Sequence, residues 1–230
     1  MKKVVLVFSL FVFCQMFGQT KYSFDYGLNY EVKSENGKDS TKVFLVNSKQ
    51  NNYYLYIHDD DNINSEINFS DFEKLVVIGK MKNSIVYKTS DYIANCDDVF
   101  QFINPYKYQV KNYKFINLND TIINDTSYYH YKTVSLKSLR FQKRKGIKTI
   151  HYIINKDSNF FTPFLWSSTL YEMFKYKNEL PNGYPKMIYM VNADNKLTST
   201  LNLLKITKIE RTLTIPEECI LTNSKKVHFN

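Results

Sequence analysis

The chain offers little of what catalysis or metal binding requires. It has three cysteines and four histidines, and no two of His58, His130, His151 and His228 stand at a spacing that makes a local metal-ligand pair. The GxSxG turn that presents a nucleophilic serine is missing, and Ser167 and Ser168 have no activating base near them in the sequence. Glu172, Glu217 and Glu218 give no pair of carboxylates at a separation that linear order fixes, as glycoside hydrolysis needs. The oxygen-rich residues 58–66, HDDDNINSE, fail the DxDxDG calcium loop because Ile63 and Asn64 occupy its decisive positions, so they read as a solvated turn. No catalytic residue, cofactor or metal ligand is assigned. A non-enzyme is favoured, and a hydrolase with a site unrecognisable in sequence is one alternative.

A long apolar run is also lacking. Residues 4–13 follow Lys2 and Lys3 and give way to small or polar residues, the order of a secretory signal peptide and too short for a comfortable membrane span. Removal near Gln19 is expected, with no retained transmembrane segment. Lipid attachment at Cys14 is disfavoured, because Val12 and Phe13 stand where small residues are needed. Loss of residues 1–19 from 230 leaves 211, a size that suits one β domain, and loss of Lys2 and Lys3 lowers the formal charge from +9 to +7. The lysines are scattered; KRKG at 143–146 is the densest cluster and reads as a solvated hairpin turn. A nucleic-acid partner is therefore not expected. Export places the protein in the periplasm, at the outer membrane or beyond the cell. In that compartment Cys96 and Cys219 can pair in a disulfide or remain separate buried thiols.

What the chain does have is alternation. Tyr22, Phe24, Tyr26, Leu28, Tyr30 and Val32 share one parity, the pattern of a half-buried strand. Residues 184–209 read as a long hairpin around a turn at 192–196. Its second arm changes phase from Leu201 and Leu203 to Leu204 and Ile206, which predicts a bulge near Leu203. Further strands are expected at 42–46, 53–57, 73–78, 85–88, 99–103 and 106–117, two or three within 127–155 including 147–154, and one near 210–215. One helix is expected over 162–176, with Thr162 as cap, Pro163 in the first turn, and Trp166, Leu170, Met173 and Phe174 on one stripe. Neither linker nor repeat interrupts this order. The expected architecture is mainly β: a single curved antiparallel sheet or half-barrel with one covering helix, spanning 20–230 and ending in a polar tail beyond Thr222.

Gly183, Tyr184, Pro185, Lys186, Met187 and Ile188, followed by a strand that ends in Lys208, Ile209 and Glu210, resemble the signature end of the GLPGLI family of exported Bacteroidota proteins. Lys186 replaces the family's second glycine, Tyr184 and Met187 replace its leucines, and its C-x-K-A segment is absent. The Phe24-x-Tyr26-x-Leu28-x-Tyr30 run extends the likeness weakly to the start of the mature chain. The resemblance implies a fold similar to the curved β half-barrels of periplasmic lipoprotein carriers, and it transfers no active site. The reading that follows is a cell-envelope accessory protein that binds a hydrophobic ligand or lipid against a wall of Trp166, Leu170, Met173 and Phe174. A structural or protein-interaction module, with an envelope protein as partner, is the other alternative. Asp39-Ser40-Thr41 and Asp120-Thr121-Ile122 also resemble the O-glycosylation pattern of Bacteroidota.

Overall fold

A computed structural model describes residues 19–35, 37, 39–59, 63–86, 88–102, 104, 107–156, 159–177, 180–221 and 226–227. The signal-peptide expectation for residues 1–18, His228 and residues 60–62 of the oxygen-rich turn lie outside them. The strands in chain order are β1 (Thr20–Ser34), β2 (Ser40–Asn47), β3 (Gln50–Asp59), β4 (Asn64–Asp71), β5 (Leu75–Lys82), β6 (Asp91–Ile93), β7 (Val99–Phe102), β8 (Tyr113–Ile123), β9 (Thr126–Ser135), β10 (Thr149–Asn155), β11 (Pro185–Val191), β12 (Leu197–Ile215) and β13 (Lys226–Val227). The helices are α1 (Asn83–Val86), α2 (Leu139–Lys145), α3 (Ser168–Lys177) and α4 (Glu217–Leu221).

All of the strands join one open sheet in the order β13-β7-β5-β4-β3-β2-β1-β12-β11-β10-β9-β8, with β6 added to β12. Neighbours are antiparallel except β6 on β12 and β13 on β7. The protein is thus mainly β with one large antiparallel sheet, as the alternation predicts, and among the described residues it has four short helices rather than a single one.

The ribbon of β1 and β12 bends the sheet. Its register shifts between Phe24 and Tyr26 and again between Asn29 and Tyr30, where Leu204 is the extra residue on β12 and is 60% exposed. Bulges raise the local twist and turn a strand's side chains toward a new direction. Consequently Tyr22 and Phe24 pack into one core while Leu28, Tyr30 and Val32, of the same parity, pack into another. The two cores lie on opposite faces of the β2–β3 hairpin: Phe44 and Val46 enter the core of Leu28 and Tyr30, and Leu45, Leu55 and Ile57 that of Tyr22 and Phe24.

Several expected elements are corrected. Residues 64–71 form a strand, not the end of a solvated turn; its inward positions include Ser65 and Asp71, buried but polar, which hides the alternation of Ile67 and Phe69. Residues 83–86 are a helical turn rather than the start of a strand, and 107–112 form a 3-10 turn before β8 begins at Tyr113. The KRKG turn is the end of α2, capped by the Ser138 hydroxyl at one end and by Gly146, at φ 62°, at the other. The strand expected near 210–215 is the continuation of β12.

The helix expected over 162–176 begins at Ser168. Ser167 is its cap, accepting from the Leu170 N–H at 3.3 Å, while Pro163 forms a bridge with Gly183. Tertiary contacts hold the preceding residues extended: Phe161 N–H donates to Ser48, Phe164 N–H to Gly183, and Gly183 N–H to Thr162. Phe160 packs on Tyr26 and Tyr184, and Phe164 on Phe44 and Tyr54, so this segment plugs one end of the concave face.

Candidate ligand cleft

At the other end of the concave face, the space under α3 is not filled. A cleft of about 400 Å³ opens there, floored by Thr133 of β9, Ile150 and Tyr152 of β10 and Met190 of β11, and roofed by Leu170 and Met173 of α3. Its mouth is formed by Lys145, Gly146, Ile147 and Lys148, the exit of α2 and the approach to β10. The volume lies within the range of small-molecule sites, and a mostly apolar lining with few polar groups is their usual chemistry.

The roof is fastened from its outer side. Tyr171 O–H donates to Glu73 Oε1 at 2.7 Å and the Lys175 ammonium donates to the same oxygen at 2.9 Å, tying α3 to the β4–β5 turn. The Tyr171 hydroxyl and then the Lys175 ammonium hold the Glu73 carboxyl below its ordinary range. Inside, Asn104 donates to the buried Glu172 at 2.9 Å, satisfying a carboxylate that α3 would otherwise bury alone. The first turn is secured by the Ser167 cap, so the hydroxyl of Ser167 is engaged with the backbone.

The polar groups that line the cleft are the hydroxyls of Tyr113, Thr133, Tyr152, Ser167 and Thr169 and the two lysines at its mouth. Burial pushes the Tyr152 phenol up to about 12, offset in part by the Trp166 indole N–H, which donates to it at 3.4 Å, and by the neighbouring Thr133 hydroxyl. Thr133 is only 8% exposed, and its Oγ1 is shielded from solvent beside Tyr152. Lys145 and Lys148 are exposed at the rim.

Of the wall residues expected from sequence, Leu170 and Met173 line the cleft, whereas Trp166 and Phe174 pack against the same core without lining it. Thr133, Ile147, Ile150 and Met190 were missed because they come from separate segments that only strand pairing unites. Cys96 and Cys219 are joined by a disulfide far from the cleft, with Cα atoms 4.5 Å apart. A second cavity of about 320 Å³ lies beside that bridge, between Thr20, Leu75, Phe102 and Ile220, at the border of residues outside the description.

His130 and His151 meet on the outer face of the same sheet half, Nε2 to Nδ1 at 3.0 Å. Thr121 Oγ1 lies 3.0 Å from the other ring nitrogen of His130, and His151 stacks on Tyr189 at 4.3 Å. Burial first, then charge from His130 and Lys132, lowers the His151 pKa to about 4, so the ring is neutral near pH 7. Among the described residues no three of His, Cys, Asp and Glu gather as metal ligands.

No family model and no curated protein matches the chain. Similar solved structures include a chain of the Pseudomonas aeruginosa MucA/MucB complex, at 8% identity and TM-score 0.43 over 80% of this chain and 51% of that one. Others are a LolA superfamily protein from Nitrosomonas europaea (11% identity, TM-score 0.21, 80% and 85% coverage) and a DUF1329 family protein from Desulfovibrio piger (8% identity, TM-score 0.28, 87% and 89% coverage). The chain spans about half the length of the first of these, 51%. At these identities and scores the likenesses assign neither fold nor function. No described helix is long and apolar enough to cross a membrane.

Proposed function

We propose that this protein is an exported cell-envelope accessory protein of the GLPGLI type that holds a hydrophobic ligand between α3 and the concave face of β9–β11. The observation that carries this reading is the cleft itself: its floor and roof present Ile150, Met190, Leu170 and Met173 to an opening of about 400 Å³, where the opposite end of the same face is plugged by Phe160 and Phe164. Hydrocarbon placed in such a cleft gives up costly contact with water. Leu170 and Met173 form the ligand-contacting wall, with Trp166 and Phe174 supporting it from the core. Residues 1–19 act as the export signal, and 20–230 as one domain.

Native mass spectrometry of protein gently purified from its own envelope, followed by lipid extraction, tests the reading. A retained lipid that disappears in Met190→Trp, which fills the cleft from a half-exposed position, is the expected result. An envelope-derived protein that carries no lipid and takes up none when offered long-chain fatty acids would overturn it. N-terminal sequencing of the same material should start near Thr20; an intact Met1 terminus in a soluble cytoplasmic fraction would remove the export assignment.

A further inference from the structure

The mouth of the cleft is chemically unlike its walls. Residues 137–148 contain Lys137, Arg140, Lys143, Arg144, Lys145 and Lys148 and no acidic residue. Two of these cations are already engaged, since Lys143 pairs with Asp194 and Arg144 lies over the Phe141 ring at 5.4 Å. Lys145 and Lys148, the two that line the cleft, make no ion pair with any described carboxylate. The αL cap at Gly146 ends α2 between them, so both lysines flank one turn at the rim.

The second observation lies deeper. Thr133 is paired in register with Ile150, two residues beyond Lys148 and so roughly 7 Å of strand inside the rim. Its side chain lines the cleft with the hydroxyl shielded from solvent beside Tyr152, so the interior offers an entering molecule chiefly apolar surface. An apolar floor and two uncommitted cations follow one another from the interior to the opening.

We propose that the ligand is a single-chain amphiphile with an anionic oxygen head, a carboxylate or a phosphate, held by Lys145 and Lys148. This rests on the reading of the cleft as a hydrophobic-ligand site and adds the class of ligand. The chain lies over Ile150, Met190, Leu170 and Met173, and a volume of about 400 Å³, near the lower end for small-molecule sites, suits one chain rather than several. The head stays at the rim, where the lysines reach it without being desolvated fully.

The test is calorimetric titration of the mature chain, at physiological ionic strength and below the critical micelle concentrations, with palmitate, hexadecyl phosphate, neutral palmitoyl glycerol and inorganic phosphate. The two anionic amphiphiles should bind about ten-fold or more tighter than palmitoyl glycerol, and inorganic phosphate should not bind measurably. A preference between palmitate and hexadecyl phosphate identifies the carboxylate or the phosphate as the natural head. The double variant Lys145→Gln/Lys148→Gln should lose that advantage while binding palmitoyl glycerol as before; Arg140→Gln, on α2 outside the lining, should change neither. Equal affinity for charged and neutral amphiphiles, unaffected by the lysine variants, would overturn the head-group assignment and leave the hydrophobic site standing. Inorganic phosphate binding as tightly as hexadecyl phosphate would replace it with a free-anion site. Failure of every amphiphile would sink both readings.

Discussion

The two cores of this sheet are built from similar residues and finished differently. The core around Phe24, Leu55, Phe69 and Ile215 is closed over most of its extent: β1 and β12 fold over β3–β5, β6 fills beside β12, and α4 is bonded through Cys219 to Cys96, with the 320 Å³ cavity left at its edge beside the bridge. The other is covered by α3 and by the aromatic plug, and it stays open beneath the helix. Closure in the first comes from strands and a covalent bridge, and the space left there is confined to its edge. A short helix over a curved sheet leaves the second incompletely filled. Dense packing and open space are thereby divided between opposite faces of the β2–β3 hairpin.

The largest effect that separates the halves should come from truncating a ring. Phe69 is fully buried and packs on Tyr22, Phe24 and Tyr53, so Phe69→Ala should cost about 3–5 kcal/mol through the cavity it leaves. Met190→Ala, on the cleft floor where solvent already enters, should cost under about 1 kcal/mol. Urea unfolding of both variants checks the contrast; equal losses would mean that the cleft is packed shut in solution. The disulfide comes next. It joins residues 123 apart, and Cys96→Ala/Cys219→Ala should lose about 2–4 kcal/mol. Amphiphile affinity of the still-folded fraction should not change, and a fall in affinity would show that the sealed half shapes the cleft.

Legibility from sequence follows the same division. β1 and the β11–β12 hairpin could be read because each alternates over many residues, and even the bulge at Leu204 shows as a change of phase. β4 was illegible because Ser65 and Asp71 sit at inward positions; each needs a partner from a distant strand or turn, Asn83 for Ser65 and Tyr22 for Asp71. The start of α3 was misplaced because Thr162 and Pro163 make a sound local cap, and contacts with Ser48 and Gly183 override it. Half of the expected wall lines the cleft for a similar reason. Leu170 and Met173 follow from helical spacing, while Thr133, Ile150 and Met190 depend on the register of β9–β11. KRKG was read as a hairpin turn although it ends α2, and its place beside apolar walls was not legible, since only the fold sets it there.

A buried polar contact gives a mid-sized test of how tightly the sealed half is specified. Tyr22 O–H donates to Asp71 Oδ2 at 2.8 Å, while the Glu73 N–H donates to Oδ1. Burial, followed by the Asp71 charge, raises the Tyr22 phenol far above its ordinary range, so it stays a donor. Tyr22→Phe keeps the ring against Phe69 and strips one donor from a buried carboxylate, for a loss of about 1.5–3 kcal/mol in denaturant unfolding. A change within experimental error would show that water reaches Asp71 and that this half is less sealed than its packing implies.

The smallest predicted effect concerns acid and falls on the half that carries the cleft. His151, on the outer face of β10, faces His130 across to β9 and Tyr189 on β11, with Lys132 adding positive charge and Thr121 bound to His130. Burial and then His130 and Lys132 bring the His151 pKa from 6.5 down to about 4, and burial followed by Lys132 lowers that of His130. A depressed histidine pKa means that the unfolded chain binds the proton more readily than the native one. The contribution is therefore present in full above about pH 6.5 and is lost as pH falls toward 4. Because the rings are partly exposed, solvent screens much of the shift, leaving an expected loss of about 1 kcal/mol. His151→Phe keeps a ring on Tyr189 and removes the titration, so its unfolding free energy should fall less than the parent's between pH 7 and pH 4. Hydrogen exchange should place the acid-induced opening of the parent in β9–β11, under the cleft, with β3–β5 protected. Superimposable pH profiles for parent and variant would show that the histidine pair does not make the open half the acid-sensitive one.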